Sequence, residues 1–446
     1  MGKLKIGLIS LGCDKNRVDS EIILNSIEKE YILVENLKLA DVIIVNTCGF
    51  IEAAKQESID TILQMSNYKV EFNCKILVVT GCLAQRYGRE LMSLLPEIDV
   101  MLGVNDYDKL NKSIKKCIEN TDDKIYNCDY SDFNIYEGRR KLTTPFYRAY
   151  LKIAEGCNNC CTYCIIPKIR GKYRSRSMES LIKECNDLAL HGVKEIIVIA
   201  QDTTKYGIDI YGRKMLPELI RSISKISGIE WIRLLYCYPE EITGELIDEI
   251  ASNDKVCNYI DIPLQHISDN ILKHMGRKGR KRDIIKIIGE LRKNIKDISI
   301  RTTIIVGFPG ETEKDFNELK EFVKSMKFEN MGVFKYSREE GTAAFKMKDQ
   351  VPEEIKSARE GELMILQQEI VKASGKSKIG NVYRVLVEGK KGKLWYGRNY
   401  EMAPDIDGLI YIKCEKGLKV GTMINVKIIR SIQYDLVGVV CDEFGE

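Results

Sequence analysis

The chain of 446 residues has no uninterrupted apolar run approaching the ~18 residues of a membrane span, so no spanning helix is expected. The start, Met1-Gly2-Lys3-Leu4-Lys5-Ile6, lacks a signal-peptide apolar core and runs straight into a strand pattern. It also lacks the Ser or Thr of a myristoylation site, and a cytoplasmic protein is expected. Net charge is scarce: 69 basic against 65 acidic residues leaves +4, too weak to argue for nucleic acid by field alone. Only three histidines occur, His191, His266 and His274, and without a carboxylate–histidine spacing each is expected to be structural. Nucleotide signatures are absent too: there is no Walker Lys-Ser/Thr and no G-x-G-x-x-G opening a helix. Cysteine, by contrast, is plentiful. Fifteen in a chain this long do not read as a disulfide scaffold, a device of small secreted domains, so the thiols are expected to be reduced and available for metal.

Three of them stand in the run Glu155-Gly156-Cys157-Asn158-Asn159-Cys160-Cys161-Thr162-Tyr163-Cys164, just after an apolar segment. Cys157, Cys161 and Cys164 in a C-x3-C-x2-C spacing can hold three corners of a 4Fe–4S cube, since thiolates are soft ligands suited to iron–sulfur clusters. The fourth iron then keeps an open position for a substrate or cofactor, which points to chemistry rather than electron storage alone. The run also parses through Cys160 as two adjoining C-x2-C pairs, a pattern of structural zinc. Such pairs normally stand a dozen or more residues apart so that they converge tetrahedrally, and here the separation is nil. Cys160 is therefore read as a spacer. The spacing resembles the radical S-adenosylmethionine (SAM) superfamily, and the resemblance implies that one electron from the cluster splits SAM into methionine and a deoxyadenosyl radical.

The length suits about three domains, expected at residues 1–140, 141–373 and 374–446. In the first, Leu4 to Leu11, Asp41 to Asn46 and Lys75 to Thr80 read as short buried strands alternating with helical patterns, Asp19 to Lys29 and Ile51 to Met65. That alternation predicts a parallel, doubly wound sheet. Each strand runs into a cysteine: Cys13, Cys48 and Cys82. Ligands of open parallel sheets bind at the carboxyl ends of strands, so three thiols delivered there predict a second metal or cluster site. A polar connection from Glu119 through Asp122-Asp123 to Arg139-Arg140-Lys141 follows.

The middle segment shows six strand candidates, each followed by a helical pattern: Tyr150 to Ala154, Glu195 to Ala200, Trp231 to Tyr236, Tyr259 to Ile262, Ser299 to Val306 and Met331 to Lys335. Six βα units predict an incomplete (βα)6 parallel barrel with its site at the C-terminal ends of the strands. By resemblance to the superfamily, the loop after the second strand, with Gln201 and Asp202 in place of the usual Gly-Gly-Glu, would meet the amino group of SAM. Gly307, Pro309, Gly310 and Glu311 resemble the loop near its adenosyl part; the same residues also read as a plain strand-to-helix turn. A charged helix pattern, Pro352 to Ser374, leads to a glycine-punctuated segment with strand candidates Val382 to Val387, Leu409 to Ile412, Met423 to Ile429 and Leu436 to Val440, a small β-barrel.

Together, the six cysteines, the SAM barrel and a C-terminal barrel of the TRAM type resemble the radical SAM methylthiotransferases. The runs Ala200-Gln201-Asp202-Thr203, Asp261-Ile262-Pro263-Leu264-Gln265-His266 and Ala403-Pro404-Asp405-Ile406-Asp407-Gly408 look most like the ribosomal branch. The resemblance implies an α/β enzyme that methylthiolates the β-carbon of an aspartate in small-subunit ribosomal protein S-twelve. It implies two 4Fe–4S clusters, held by Cys13, Cys48 and Cys82 and by Cys157, Cys161 and Cys164, with SAM as radical source and methyl donor. The partners would be that protein or the ribosome, and an electron donor such as flavodoxin or ferredoxin. Two alternatives stand beside this: the transfer-RNA branch, which modifies an adenosine, and a non-catalytic RNA-binding protein with zinc in its cysteine sites. For docking, Asp405 and Asp407 are expected to form an acidic patch facing the basic ribosomal protein, with lysines such as Lys390, Lys391, Lys393 and Lys416 elsewhere on the barrel.

Overall fold

The computed structural model describes residues 3–120, 124–128, 136–415 and 417–441; Asp122-Asp123 of the polar connection and Lys416 lie outside them. The first part is a six-stranded sheet of β1 (Lys5–Ser10), β2 (Ile32–Leu33), β3 (Val42–Thr47), β4 (Ile76–Gly81), β5 (Val100–Leu102) and β6 (Ile125–Asn127). Every pairing is parallel, in the order β2-β1-β3-β4-β5-β6. β3 and β4 are buried along their whole length, as parallel strands covered on both faces must be. The sequence reading contains β1, β3 and β4 but not β2, β5 or β6, which are too short to carry a periodic signal.

The central part begins with β7 (Arg148–Lys152), followed by the antiparallel pair β8 (Ala154–Glu155) and β9 (Arg174–Ser175). Then come β10 (Glu195–Ile199), β11 (Trp231–Leu234), β12 (Val256–Gln265), β13 (Ser299–Val306) and β14 (Asn330–Lys335). The main sheet has the order β14-β13-β12-β11-β10-β7, all parallel: an open arc of six strands. Alternation sorts its residues between two faces. Ala149, Leu151, Ile196, Val198, Ile232 and Leu234 join the large apolar core that includes the helices. Tyr150, Ile197, Ile199, Trp231 and Tyr259 join a second core shared with residues of the first sheet and with Leu386 and Ala403. Arg148, Lys152, Glu195, Arg233 and Asp261, in step with that second set, are buried as well. One face of the arc is thus apolar for helices, and the other is mixed and charged, for docking the flanking parts.

The helix Glu353–Ser377 leads to β15 (Val382–Lys391), β16 (Leu394–Arg398), β17 (Ile410–Lys413), β18 (Met423–Ile432) and β19 (Asp435–Val440). These close into a barrel in the order β15-β16-β17-β19-β18, with β17 and β19 parallel. The sequence pattern misses β16, a short Leu-Trp-Tyr-Gly-Arg strand with a glycine inside it.

The expected acidic patch is a correction. The Asp407 carboxylate is buried, accepting from the Tyr259 hydroxyl and the Ala403 amide (both 2.8 Å), with Arg301 at 3.4 Å. Asp405 receives both its bonds, each 3.0 Å, from Nη2 of Arg148. Both carboxylates fasten the small barrel onto the charged face of the arc; buried Asp407 cannot face a partner, while Asp405 stays half exposed beside Arg148.

Candidate active site

The first three thiols lie at the C-terminal ends of adjacent parallel strands, where the topology brings loops together. Cys13 follows β1 and precedes the helix Asp14–Ile27, Cys48 follows β3, and Cys82 opens the helix Cys82–Leu94 directly after β4. Gly12 has φ +83°, and a Cβ there would stand 3.0 Å from Cys48 Sγ, so glycine lets the β1 loop close onto the β3 loop. Asn16 ties the same loops, its Nδ2 donating to Leu11 O (3.0 Å) and Thr47 O (2.8 Å). Ser58 pins Cys48, accepting from its amide and donating to its carbonyl. Burial pushes the Cys48 thiol up to about 12, and the neighbouring Cys82 adds to the shift. Cys82 is pushed up by burial too, against the pull of Arg170. Such thiols ionise only for something that brings positive charge, as a metal centre does.

The second three follow β8. The Cys157 amide donates to Gly171 O (3.0 Å), and a turn closes with the Cys164 amide on Cys161 O (3.1 Å). The loop is anchored at Thr162, whose amide donates to Met275 O (2.9 Å) and whose carbonyl accepts from the Ala344 amide (2.8 Å). Cys157 and Cys161 are buried while Cys160 is exposed. Burial pushes Cys157 up to about 11 and Cys164 up to about 12, each also raised by nearby Cys161.

Two connections join the thiol sets. The first is ionic. Arg170 donates through Nη1 to Glu155 (2.9 Å) and through Nη2 to Asn16 (2.7 Å), Asp19 (3.0 Å) and Cys82 Sγ (3.4 Å). Lys152 joins the same carboxylates, Asp19 and, at 2.7 Å, Glu155. Burial works against the Glu155 carboxylate, but Arg170 and Lys152 outweigh it and hold its pKa low. The second is the tripeptide Tyr236-Cys237-Tyr238 beyond β11. The Tyr236 hydroxyl donates to Asp14, beside Cys13 (3.3 Å), while the Tyr238 hydroxyl lies 3.7 Å from Cys161 Sγ. Three residues therefore reach from one thiol set to the other. Sequence reasoning missed Tyr236, Tyr238, Arg170 and Lys152, because they meet partners such as Asp14 and Asp19 that are remote in the chain; the φ of +61° at Tyr236, rare for a bulky residue, emerges only in three dimensions.

Both loops expected to meet SAM touch the cysteine loop. Gln201 Nε2 donates to Glu155 (2.7 Å), and Asp202 accepts from Asn159 Nδ2 (2.8 Å) and the Thr204 hydroxyl (2.6 Å). Burial pushes the Asp202 carboxyl up, and each of its oxygens retains a lone pair for a further donor. Gly307 has φ +69°, and a Cβ there would stand 2.3 Å from Lys356 Cγ. Pro309 and Gly310 complete that turn, and Phe308 packs edge-on against Tyr163 with centroids 6.4 Å apart. Glu311 shapes the turn: it accepts from the Gly307 amide (2.8 Å) and from Arg359 (2.7 Å). His266 is fully buried and accepts from the Ser268 amide (3.0 Å), a structural contact.

Among the described residues no group of three or more His, Cys, Asp or Glu side chains is gathered as a site for a single metal ion. A cube of four irons takes one thiolate at each of three separate corners, and two sets of three neighbouring thiols fit that donor chemistry. Comparison with known proteins shows the family. The Radical SAM superfamily matches residues 151–323, the TRAM domain 379–441, and the Uncharacterized protein family UPF0004 residues 5–103. A ribosomal protein uS12 methylthiotransferase RimO of Clostridium kluyveri is 73% identical over 446 residues, covering 100% of both chains. The chain belongs to the RimO methylthiotransferase family. The RimO of Clostridium tetani is 61% identical over 99% of each chain. Among solved structures, the radical SAM methyltransferase TsrM of Kitasatospora setae, with cobalamin and a 4Fe–4S cluster bound, superimposes with a TM-score of 0.56 at 14% identity, covering 75% of each chain. At that identity the likeness concerns the fold alone. As RimO family members carrying a radical SAM domain do, the protein uses SAM and 4Fe–4S clusters.

Proposed function

We propose that the protein methylthiolates the β-carbon of an aspartate in ribosomal protein uS12, in the cytoplasm, with electrons from a small donor such as flavodoxin or ferredoxin. The observation that carries this is the approach of two separate thiol sets, joined by Tyr236-Cys237-Tyr238, at the C-terminal ends of two parallel sheets. Cys157, Cys161 and Cys164 are assigned to the SAM-binding cluster, and Cys13, Cys48 and Cys82 to the second. Bound there, the clusters and SAM supply the one-electron chemistry, the hydrogen-abstracting radical, the sulfur and the methyl group.

The chain's own residues bind and orient. Asp202 offers a carboxylate to the ammonium group of SAM, held by Asn159 and Thr204. Gln201 is steered by Glu155, which Arg170 and Lys152 keep ionised. Gly307, Pro309 and Gly310 present a backbone edge that SAM can approach closely, and Glu311 is a positioning residue for that turn. Anaerobic reconstitution followed by incubation with uS12 or transfer RNA, read by mass spectrometry, tests the assignment. The methylthio mass increase is expected on uS12; its appearance on transfer RNA alone would contradict it.

A further inference from the structure

Lys15 is buried, only 7% exposed, in the first turn of the helix that follows Cys13. Its ammonium lies 3.0 Å from the centroid of the Tyr236 ring. Among the described residues no carboxylate comes within 4.0 Å of it. The nearby carboxylates are engaged elsewhere. Asp14 accepts from Tyr236, and Asp261 accepts from the Tyr236 amide (3.0 Å) and Arg301 (3.2 Å). Arg170, the other cation here, is already spent on Glu155, Asp19 and Asn16. A buried cation without an anion is costly. Its position adds to the cost, because a helix N-terminus carries partial positive charge and no side chain caps this one.

We infer that Lys15, over the Tyr236 ring at the seam between the two thiol sets, receives the carboxylate of the substrate aspartate. This rests on the proposed reaction at an aspartate β-carbon. An incoming carboxylate removes both penalties at once, pairing with the ammonium and with the open amides of the helix N-terminus. The geometry then serves the reaction. The β-carbon is bonded directly to the carboxylate carbon, so holding the carboxylate fixes the reacting carbon one bond from the anchor. Tyr236 orients the ammonium by cation–π contact and, through Tyr238, sets it in register with Cys161. A neutral amide of the same shape can accept a hydrogen bond here but brings no charge to pair with the ammonium, so Lys15 is a specificity residue for charge.

The test uses the full chain, reconstituted anaerobically, and two peptides spanning the uS12 target loop, one with the aspartate and one with Asn in its place. Dissociation constants are read by fluorescence anisotropy. The wild-type protein is expected to prefer the Asp peptide by about tenfold or more, the worth of one charge-assisted contact. Lys15→Met should bring the two peptides within about twofold of one another, and Lys15→Arg, which keeps the charge and controls for folding, should retain most of the preference. An Asp preference that survives in Lys15→Met overturns the inference while leaving the proposed function standing. A loss of SAM affinity in Lys15→Met, with the Asp preference intact, overturns it too and assigns the lysine to the carboxylate of SAM. Failure of the wild-type protein to bind either peptide overturns the uS12 reading, and the inference with it.

Discussion

The central sheet is docked on its charged face by two different neighbours, and both interfaces are stitched with buried ions. Toward the first sheet the network is Asp19, Lys152, Glu155 and Arg170, and it ends on a thiol, Cys82 Sγ. Toward the small barrel it is Glu195 with Arg233 (2.7 Å) and Arg398 (2.5 Å), Glu388 with Arg398 (2.7 Å), and Asp407 with Arg301. No thiol of either candidate site takes part in that second network. The difference teaches that the same interaction can position chemistry or merely fasten a domain, depending on where it ends. Removing one member of a buried ion set leaves its partners charged and unpaired, which is what makes both interfaces sensitive.

The comparison is sharpest at Arg170. Arg170→Ala leaves the two buried carboxylates Asp19 and Glu155 sharing the single cation Lys152, so a loss of about 3–5 kcal/mol in urea unfolding is expected, together with a fall in iron per chain because Cys82 loses its neighbour. Unchanged iron would reduce this network to a fastening like the other. Glu195→Gln leaves buried Arg233 without a carboxylate while Arg398 keeps Glu388, so about 3 kcal/mol is expected, and iron content should hold.

The same group sets an acid limit. Burial pushes Glu195 up, but Arg398 and Arg233 outweigh it and bring its pKa down to about 2, against about 4.3 for an unfolded Glu. Its stabilising contribution is complete above the unfolded value and is lost as pH falls from there toward 2. Glu195→Gln should reduce that dependence by one group's share, as followed by thermal unfolding across the window, with the rest carried by carboxylates such as Glu155. Smallest of all is Asp405→Ala. Its side chain is 54% exposed in the pair with Arg148, and an effect below about 1 kcal/mol is expected.

Much of this was legible in the chain. The six central strands carry apolar runs long enough to read, and cysteine after β1, β3 and β4 is a positional pattern that topology turns into a site. The rest was hidden for physical reasons. β2 has two residues and β5 and β6 three each, below any period. Asp405 and Asp407 look like solvated charges in a loop until Arg148 and Arg301, more than a hundred positions away, arrive beside them. Lys15 lies ahead of the helical pattern read from Asp19 to Lys29, and carries no signal there; its lack of a counter-ion is a property of the fold, not of the sequence.

The most direct measurement of the division of labour between the two thiol sets compares two triple variants. Each is reconstituted anaerobically and assayed for iron, acid-labile sulfide, SAM cleavage and methylthiolation of uS12. Replacing Cys157, Cys161 and Cys164 with Ala should leave one cluster and abolish SAM cleavage. Replacing Cys13, Cys48 and Cys82 should also leave one cluster, with SAM cleavage intact and methylthiolation gone. Equal loss of SAM cleavage in both variants would contradict that division.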